Sequence, residues 1–254
     1  MARPFQSAVT RCFFEINPAL PLLQRGFVEA VGACLLLVAT AGSSLAVAPH
    51  AKQEPLVVSL LVGLSISGAL VGLIVALGKI SGGHFNPLIT VSQWLAGERS
   101  TLCTIAYVAG QVTGGICGVL IANAVGVAAV PSTVENVPSV PLLVSEVVAS
   151  AGLMTVVFGC ARSSRWETGP FAVGGWLLAA IIATPSASYA NPAVALAAIF
   201  AKGPVALSSA TGFQYVAAQI VGMILAIAVN RLAFAGLRDR QEANAEESQH
   251  EVSR

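Results

Sequence analysis

Two Asn-Pro pairs stand in matching apolar surroundings and are the most informative residues of this chain. The first reads Asn86-Pro87-Leu88 and the second reads Asn191-Pro192-Ala193. Each pair is a start signal for a helix, because the Asn side chain can cap free backbone N–H groups and Pro is preorganised for the first helical position. The side-chain NH₂ of each Asn is an uncharged hydrogen-bond donor. These residues therefore suit contact with a small neutral, hydrogen-bonding solute.

Both pairs open apolar segments that are too short to cross a bilayer. The segments, about Asn86–Ala96 and Asn191–Ala201, correspond to about 15 Å of helix each, half of the ~30 Å hydrocarbon core. Backbone groups cannot stay unpaired in lipid, so the turns before the two segments must be buried or must face water. The carbonyls of residues 81–85 and 186–190 can then line a pore as acceptors. Two half-helices whose positive ends aim at one point predict such a pore.

The composition of the chain indicates a membrane protein. Of its 254 residues, 56% are hydrophobic and only 10% are charged, which is too apolar for a soluble domain. A net charge of +1 makes nucleic acid an unsuitable partner. The five cysteines form no Cys-x-x-Cys pair and no spacing with His, so we predict small membrane-core residues and neither a metal site nor a cofactor.

Six apolar runs have the character of membrane spans. In chain order they are Phe27–Val47, Leu56–Gly78, Thr104–Gly126, Leu142–Cys160, Phe171–Thr184 and Phe213–Phe234. We therefore predict an all-α membrane protein with six transmembrane helices and two re-entrant half-helices. Residues 1–26 are predicted to be a cytoplasmic N-terminal segment, 27–234 the membrane domain and 235–254 a disordered cytoplasmic tail.

The positive charges predict the orientation of the chain. With both termini in the cytoplasm, only Lys52 and Lys202 lie on the side of the membrane away from the cytoplasm. The other eleven of the 13 Lys and Arg residues are then cytoplasmic, which is the usual bias of membrane proteins; they are Arg3, Arg11, Arg25, Lys79, Arg99, Arg162, Arg165, Arg231, Arg238, Arg240 and Arg254. This orientation predicts a multi-pass protein of the cell (inner or plasma) membrane, with the lipid bilayer as its partner.

The two halves of the chain, about 27–126 and 142–234, repeat each other. The segment Tyr107–Gly114 matches Tyr215–Gly222 at an offset of 108 residues. Three spans per half give the second half the opposite orientation. Such an inverted repeat brings its functional groups together where the halves join.

Two carboxylates within spans and one histidine leave alternatives open. Placing the side chains of Glu29 and Glu146 in a membrane is unfavourable in free energy unless each has a hydrogen-bond or charge partner. They form a proton relay, or each accepts hydrogen bonds from backbone N–H groups in the re-entrant loop of its own half; their matched placement favours the second interpretation. His84 either gates the pore and senses pH or packs the loop, and we favour packing.

Glycines at a spacing of four predict close helix packing. Gly110, Gly114 and Gly118 share a face of the third span, and Gly68 and Gly72 share a face of the second. Small residues at this spacing let two helices approach closely. We interpret them as packing residues and not as a site.

The motifs resemble the aquaporin (major intrinsic protein) family over about residues 27–234. The resemblance rests on both Asn-Pro motifs, on the segment Ile80–Pro87 and on the paired Glu29 and Glu146. It implies an hourglass pore, a homotetramer with one pore per subunit, and passive transport of water or small uncharged solutes. It implies no enzymatic activity.

The chain departs from the pattern of this family at two positions. Leu88 stands where the family usually has Ala, and Val194 stands where it almost always has Arg. Ungapped spacing from the motifs carries the family's selectivity ring over to Ile66, Ala179, Ser188 and Val194. This ring contains no aromatic and no charged residue. It should therefore be wider and more apolar than a strict water filter.

The second motif, preceded by Ser-Tyr-Ala and followed by Val194, is similar to a bacterial branch of the family associated with arsenic resistance. This resemblance implies passage of arsenite as neutral As(OH)₃, of glycerol-like polyols and of water. The alternatives are a strict water channel or an ion-coupled secondary transporter, which also has broken helices but usually needs ionisable groups at the site. A membrane enzyme is the weakest alternative, because no catalytic set of residues is recognisable.

Overall fold

The computed structural model of this protein describes residues 20–126, 137–161 and 166–252, with side chains described up to residue 233. Predictions for residues 1–19, Arg162, Arg165 and Arg254 lie outside the described residues. The described chain contains eight α-helices, which are α1 (Leu22–Val47), α2 (Pro55–Ser81), α3 (Pro87–Leu95), α4 (Thr101–Val125), α5 (Val140–Ala161), α6 (Gly169–Ala183), α7 (Pro192–Ala198) and α8 (Ser209–Val252).

Five of these helices are long and apolar enough to cross a bilayer, namely α1, α2, α4, α5 and the part of α8 up to Ala233. The sixth predicted span, Phe171–Thr184, corresponds to α6. This helix has only 15 residues, or about 22 Å of rise, and is shorter than the ~30 Å hydrocarbon core. It is preceded by a 3-10 turn, Trp166–Thr168. The architecture is all-α, as the sequence predicts.

The helices begin earlier than the apolar runs. The third span was expected from Thr104, whereas α4 begins at Thr101 and is capped by Ser100, whose Oγ accepts from the backbone N of Cys103 at 3.2 Å. Polar capping residues and polar first turns belong to a helix without contributing to its apolar pattern. Apolarity alone therefore places the helix starts too late.

Helix α8 continues into the C-terminal segment that the sequence predicts to be disordered. The backbone of α8 stays helical to Val252, which is 44 residues after its start at Ser209. The residues after Gly236 are rich in Arg, Gln, Glu and Ala and contain neither Pro nor Gly. These residue types have high helix propensity, so a polar composition does not by itself interrupt a helix already formed.

Corresponding helices of the two halves pack in the same way, α1 along α4 and α5 along α8. A Cβ at Gly114 would overlap the carbonyl oxygen of Ala30, and one at Gly222 would lie 2.5 Å from the carbonyl oxygen of Val147. The close packing predicted for Gly114 is thus present and repeats in the second half. The described residues make no close contact of this kind at Gly68 or Gly72, because none of them lies within 4 Å of a Cβ built at either.

The two short helices lie inside this bundle and connect its halves. Helix α7 of the second half packs against α4 of the first and against α8, while α3 packs mainly against α4. Helices α2 and α6 also contact each other across the halves. The chain therefore brings the starts of α3 and α7 together in the interior.

Candidate functional site

Asn86 and Asn191 cap the two half-helices as the sequence predicts. The Oδ1 of Asn86 accepts from the backbone N of Leu88 at 2.9 Å, and the Oδ1 of Asn191 accepts from the backbone N of Ala193 at 2.9 Å. Pro87 and Pro192 occupy the first position of each helix, where no backbone N–H is needed.

The two half-helices are also bonded to each other. The Nδ2 of Asn86 donates to the carbonyl oxygen of Ala190 at 2.9 Å, and the Nδ2 of Asn191 donates to the carbonyl oxygen of Phe85 at 2.8 Å. An amide nitrogen carries two hydrogens. One hydrogen of each Asn therefore ties the loops together, and the second is available for a solute.

The loops that precede the half-helices have unusual backbone conformations. In the first loop, positive φ angles fall on Gly82 and Gly83 and on Phe85 at 46°. In the second loop they fall on Ala187 at 57°, Ser188 at 54° and Ala190 at 44°. Non-glycine residues in this region raise the energy by about 1 kcal/mol or more each and persist only when other contacts hold them.

Buried carboxylates provide those contacts. The two oxygens of Glu29 accept from the backbone N of His84 at 3.0 Å and of Phe85 at 2.7 Å. Glu146 accepts in the same way from Tyr189 at 3.0 Å and from Ala190 at 2.9 Å. Both Glu side chains are 0% exposed. These are the hydrogen bonds expected of a loop-supporting role, and they leave the carboxylates out of contact with the pore.

Two glutamines complete these networks and were not singled out from the sequence. Gln111 donates from Nε2 to Glu29 at 2.7 Å, and Gln219 donates to Glu146 at 2.7 Å. Both glutamines are fully buried. The available signal was their matched position within the repeated segments that begin at Tyr107 and Tyr215. Tyr107 itself donates from its hydroxyl to the carbonyl oxygen of Ser81 at 2.8 Å.

His84 belongs to the first loop and contacts the network around Glu29. Its Nδ1 is 2.9 Å from the Oγ1 of Thr90, which also accepts from Gln111 at 3.0 Å. The ring meets Tyr107 edge to face at 5.6 Å between centroids. His84 is 2% exposed but also borders the cavity described next. These contacts agree with the packing interpretation.

A cavity of about 270 Å³ passes both Asn side chains. Helix α6 lines it from Pro170 to Ile181, about 16 Å of helical rise, so it runs lengthwise through the bundle. Most of the wall is apolar, with polar groups supplied by the two loops and by hydroxyls. Among the described lining residues there is no Asp, Glu, Lys or Arg.

Three of the four predicted ring residues border this cavity, namely Ile66, Ser188 and Val194. The fourth does not: Ala179 is on the exposed surface of α6. The cavity face of α6 instead carries Pro170, Val173, Leu177 and Ile181. Successive side chains of a helix are about 100° apart around its axis. An ungapped assignment that is wrong by two residues therefore selects the opposite face of the helix. Ile181 is the lining residue closest along α6 to the second loop.

Leu88 does not border the cavity. It is 2% exposed and belongs to the hydrophobic core rather than to the cavity wall. Ala193, its counterpart in the second motif, is 0% exposed and also does not border the cavity. The first departure from the expected motif therefore changes core packing.

No group of three His, Cys, Asp or Glu side chains that could hold a metal ion is found in the part of the chain that the structure describes. The polar groups of the described lining residues are side-chain amides, hydroxyls and the imidazole of His84, together with backbone carbonyls. Such a wall can exchange hydrogen bonds with a neutral solute.

Comparison with known proteins agrees with this arrangement. Residues 18–187 match the model of the major intrinsic protein family. The chain is 33% identical over 212 residues to Aquaglyceroporin AqpS of Rhizobium meliloti (strain 1021), covering 83% of this chain and 90% of that protein. It is 29% identical over 235 residues to Aquaporin Z of Photorhabdus laumondii, with 84% and 99% covered. Identity to Aquaporin TIP1-1 of Arabidopsis thaliana is 31% over 185 residues, with 68% and 73% covered.

Proposed function

This chain belongs to the major intrinsic protein family, and we propose that its channel conducts polyhydroxylated neutral solutes, foremost arsenite as As(OH)₃ and glycerol, together with water. Membership of the family makes it a multi-pass membrane protein and a passive channel for water or small solutes, and not an enzyme. The identity of the solutes is the proposal.

The wall around Val194 carries this proposal. Ile66, Val194 and Ile181 contribute only apolar side chains to the cavity, and Ser188 contributes a small hydroxyl. A channel selective for water alone needs a narrow ring with directed donors. Here no guanidinium occupies the position of Val194, so a solute larger than water meets neither its bulk nor its charge.

The hydrogen-bonding groups of the pore suit a solute with several hydroxyls. Along its path such a solute exchanges hydrogen bonds to water for bonds to the carbonyls of the two loops and to the free N–H of Asn86 and Asn191. When a bond to the wall replaces each bond to water, the free-energy penalty of desolvating that polar group of the solute is lower. The relative from Rhizobium meliloti is named an aquaglyceroporin, which is consistent with this class of solute.

The proposal includes exclusion of ions. No described lining residue is an Asp, Glu, Lys or Arg whose side chain could replace the hydration of an ion. The positive end of α3 at Asn86 also opposes cations in the middle of the pore. The result is a neutral-solute pore with weaker charge exclusion than one that retains the Arg.

We also propose the homotetramer and the orientation that the family resemblance and the charges imply, with both termini in the cytoplasm of a plasma membrane. The exposed apolar side of α2, which includes Leu60, Leu61 and Leu64, is suited to lipid or to a second subunit. Native mass spectrometry in mild detergent tests the tetramer, and a persistent monomer would contradict it.

Stopped-flow light scattering on proteoliposomes tests the solutes. Water, glycerol and arsenite are measured separately against empty vesicles of the same lipid. We expect all three to permeate faster through the protein than through lipid alone. Water flux without glycerol or arsenite flux would favour the strict water channel instead. Counterflow measurements address the transporter alternative, for which uptake would be coupled to an ion gradient.

A further inference from the structure

Helix α1 places two hydroxyls on the wall of the cavity. Thr40 and Ser44 are one helical turn apart, so they share a face, and both border the cavity together with Leu36 and Val47 of the same helix. Thr40 is 7% exposed and Ser44 is 4% exposed. Neither position belongs to the four predicted ring positions or to the Asn-Pro motifs.

The hydrogen of each hydroxyl is already committed to the backbone of α1. The Oγ1 of Thr40 donates to the carbonyl oxygen of Leu36 at 2.8 Å, and the Oγ of Ser44 donates to the carbonyl oxygen of Thr40 at 2.9 Å. A hydroxyl has one hydrogen and two acceptor lone pairs. Toward the cavity, Thr40 and Ser44 are therefore hydrogen-bond acceptors.

A second element of the same wall offers the complementary group. Ser188 is 5% exposed, and its Oγ has no hydrogen-bond partner among the described residues. Its backbone N donates to the Oγ of Ser186 at 3.2 Å, which leaves the hydroxyl of Ser188 free to donate or to accept. A buried hydroxyl without a partner is uncommon, and a water molecule or a solute in the adjoining cavity is one source of such a partner.

We propose that Thr40 and Ser44 of α1, together with Ser188, form a solute-binding subsite on the wall of this cavity, and that this subsite favours neutral solutes with two or more hydroxyls. The inference rests on the proposed function and adds a specificity element on α1. It adds hydroxyl groups to a cavity wall that carries the apolar Val194 where the family almost always has Arg. The ligands are polyhydroxy compounds such as glycerol and As(OH)₃.

The number of hydroxyls on the solute decides the preference. A polyhydroxy solute can donate to Thr40 or Ser44 with one group while another group bonds to Ser188 or to a loop carbonyl. If Thr40 or Ser44 loses its acceptor oxygen, one hydroxyl of the solute is left without a hydrogen-bond partner in a mostly apolar part of the cavity. This raises the free energy of the solute at that point. A water molecule is smaller and can keep hydrogen bonds to the neighbouring water molecules in the pore. It therefore depends less on the hydroxyls of α1.

Flux through matched variants tests this subsite in the full-length channel. Thr40→Val keeps the branched shape and removes the acceptor. Thr113→Val is its control, because Thr113 makes the same type of bond, to the carbonyl oxygen of Ala109 at 2.7 Å, on the exposed side of α4. Ser44→Ala is compared with Ser43→Ala, since Ser43 also bonds to the carbonyl of Thr40, at 3.3 Å, but does not border the cavity.

We expect Thr40→Val and Ser44→Ala each to lower glycerol and arsenite flux about fivefold, the factor that one hydrogen bond of about 1 kcal/mol sets at a barrier. Water flux and the amount of folded protein should stay close to wild type, and both control variants should be unchanged. Equal loss of water and polyol flux, or no loss of either, would overturn the subsite while wild-type glycerol flux still supported the proposed function. If vesicles that contain the wild-type protein showed no glycerol or arsenite flux above that of empty vesicles, the result would contradict the proposed function and the subsite with it.

Discussion

The side-chain nitrogen of Asn86 donates a hydrogen bond of 2.9 Å to the carbonyl oxygen of Ala190, the residue directly before the second motif. The reverse bond, from Asn191 to Phe85, is 2.8 Å long. Each re-entrant loop therefore fixes the start of the other half-helix. Each Asn also keeps one N–H for a solute, so the same two residues join the halves and serve the pore.

Replacing Asn86 by Asp should disrupt this junction. The carboxylate of Asn86→Asp can still cap α3, but it has no hydrogen to donate to Ala190 and repels that carbonyl. It also adds a negative charge in the middle of the pore. We expect lower neutral-solute flux and a new cation conductance in planar bilayers.

Asn123→Asp is the control for this change. Asn123 also donates to a carbonyl, that of Phe200 at 2.9 Å, and accepts from the backbone N of Lys202 at 3.0 Å, but its side chain is only half-buried and does not border the cavity. Cation conductance of the same size in both variants would count against a special role of the Asn86 bond.

Glu29→Gln should destabilise the fold by about 1–3 kcal/mol, because one oxygen that accepts from buried N–H groups becomes a donor that faces donors. The loss should appear as a lower unfolding temperature of the detergent-solubilised protein. Glu54→Gln provides the control, since Glu54 is an exposed glutamate before α2 whose side chain makes no capping bond. Equal stability of Glu29→Gln and wild type would contradict the loop-supporting role.

Val194→Arg should lower glycerol and arsenite flux more than water flux, because the new side chain adds bulk and a charge to the cavity wall. We expect a decrease of about tenfold or more for the larger solutes, which corresponds to about 1.4 kcal/mol of added barrier. Val194→Leu separates bulk from charge. An equal loss of water and polyol flux in Val194→Arg would argue that Val194 does not set the size limit.

Gly114→Ala should destabilise the protein by about 1–3 kcal/mol, because the added methyl group overlaps the carbonyl of Ala30 and must separate α1 from α4. Gly72→Ala adds the same group to α2 in open space and should be neutral or stabilising, as Ala has the higher helix propensity. Unfolding temperatures of the two variants provide the comparison. A larger loss of stability for Gly72→Ala than for Gly114→Ala would indicate that α2 makes a close contact with another subunit at this position.

Leu88→Ala restores the residue that the family usually has in the first motif. Because Leu88 is buried in the core, its truncation should lower stability by about 2–5 kcal/mol. The ratio of glycerol flux to water flux in the folded protein should not change. A changed ratio would mean that Leu88 influences the width of the pore after all.

Local signals made much of this site predictable from the sequence. Asn before Pro at the head of a short apolar segment favours a helix start, so both half-helices and their caps follow from Asn86 and Asn191. A carboxylate within an apolar span needs donors, and for Glu29 and Glu146 the re-entrant loops were the obvious source.

Contacts between distant residues were harder to predict. Gln111 is 82 residues from Glu29, and the bonds that join the two motifs span 104 and 106 residues. Only the packed bundle brings these groups together. The assignment of Ala179 failed for a geometric reason, because a small error in counting along α6 moves a side chain from the cavity to the outer surface.

Arsenite uptake measured as a function of concentration tests the central claim, passive conduction of a polyhydroxylated neutral solute, most directly. Proteoliposomes and matched empty vesicles are incubated with arsenite near neutral pH, with and without a protonophore and an imposed ion gradient, and vesicle arsenic is counted. We predict uptake that exceeds that of empty vesicles, rises linearly with concentration and does not respond to either treatment. Uptake equal to that of empty vesicles, or uptake that saturates and follows the ion gradient, would contradict the account.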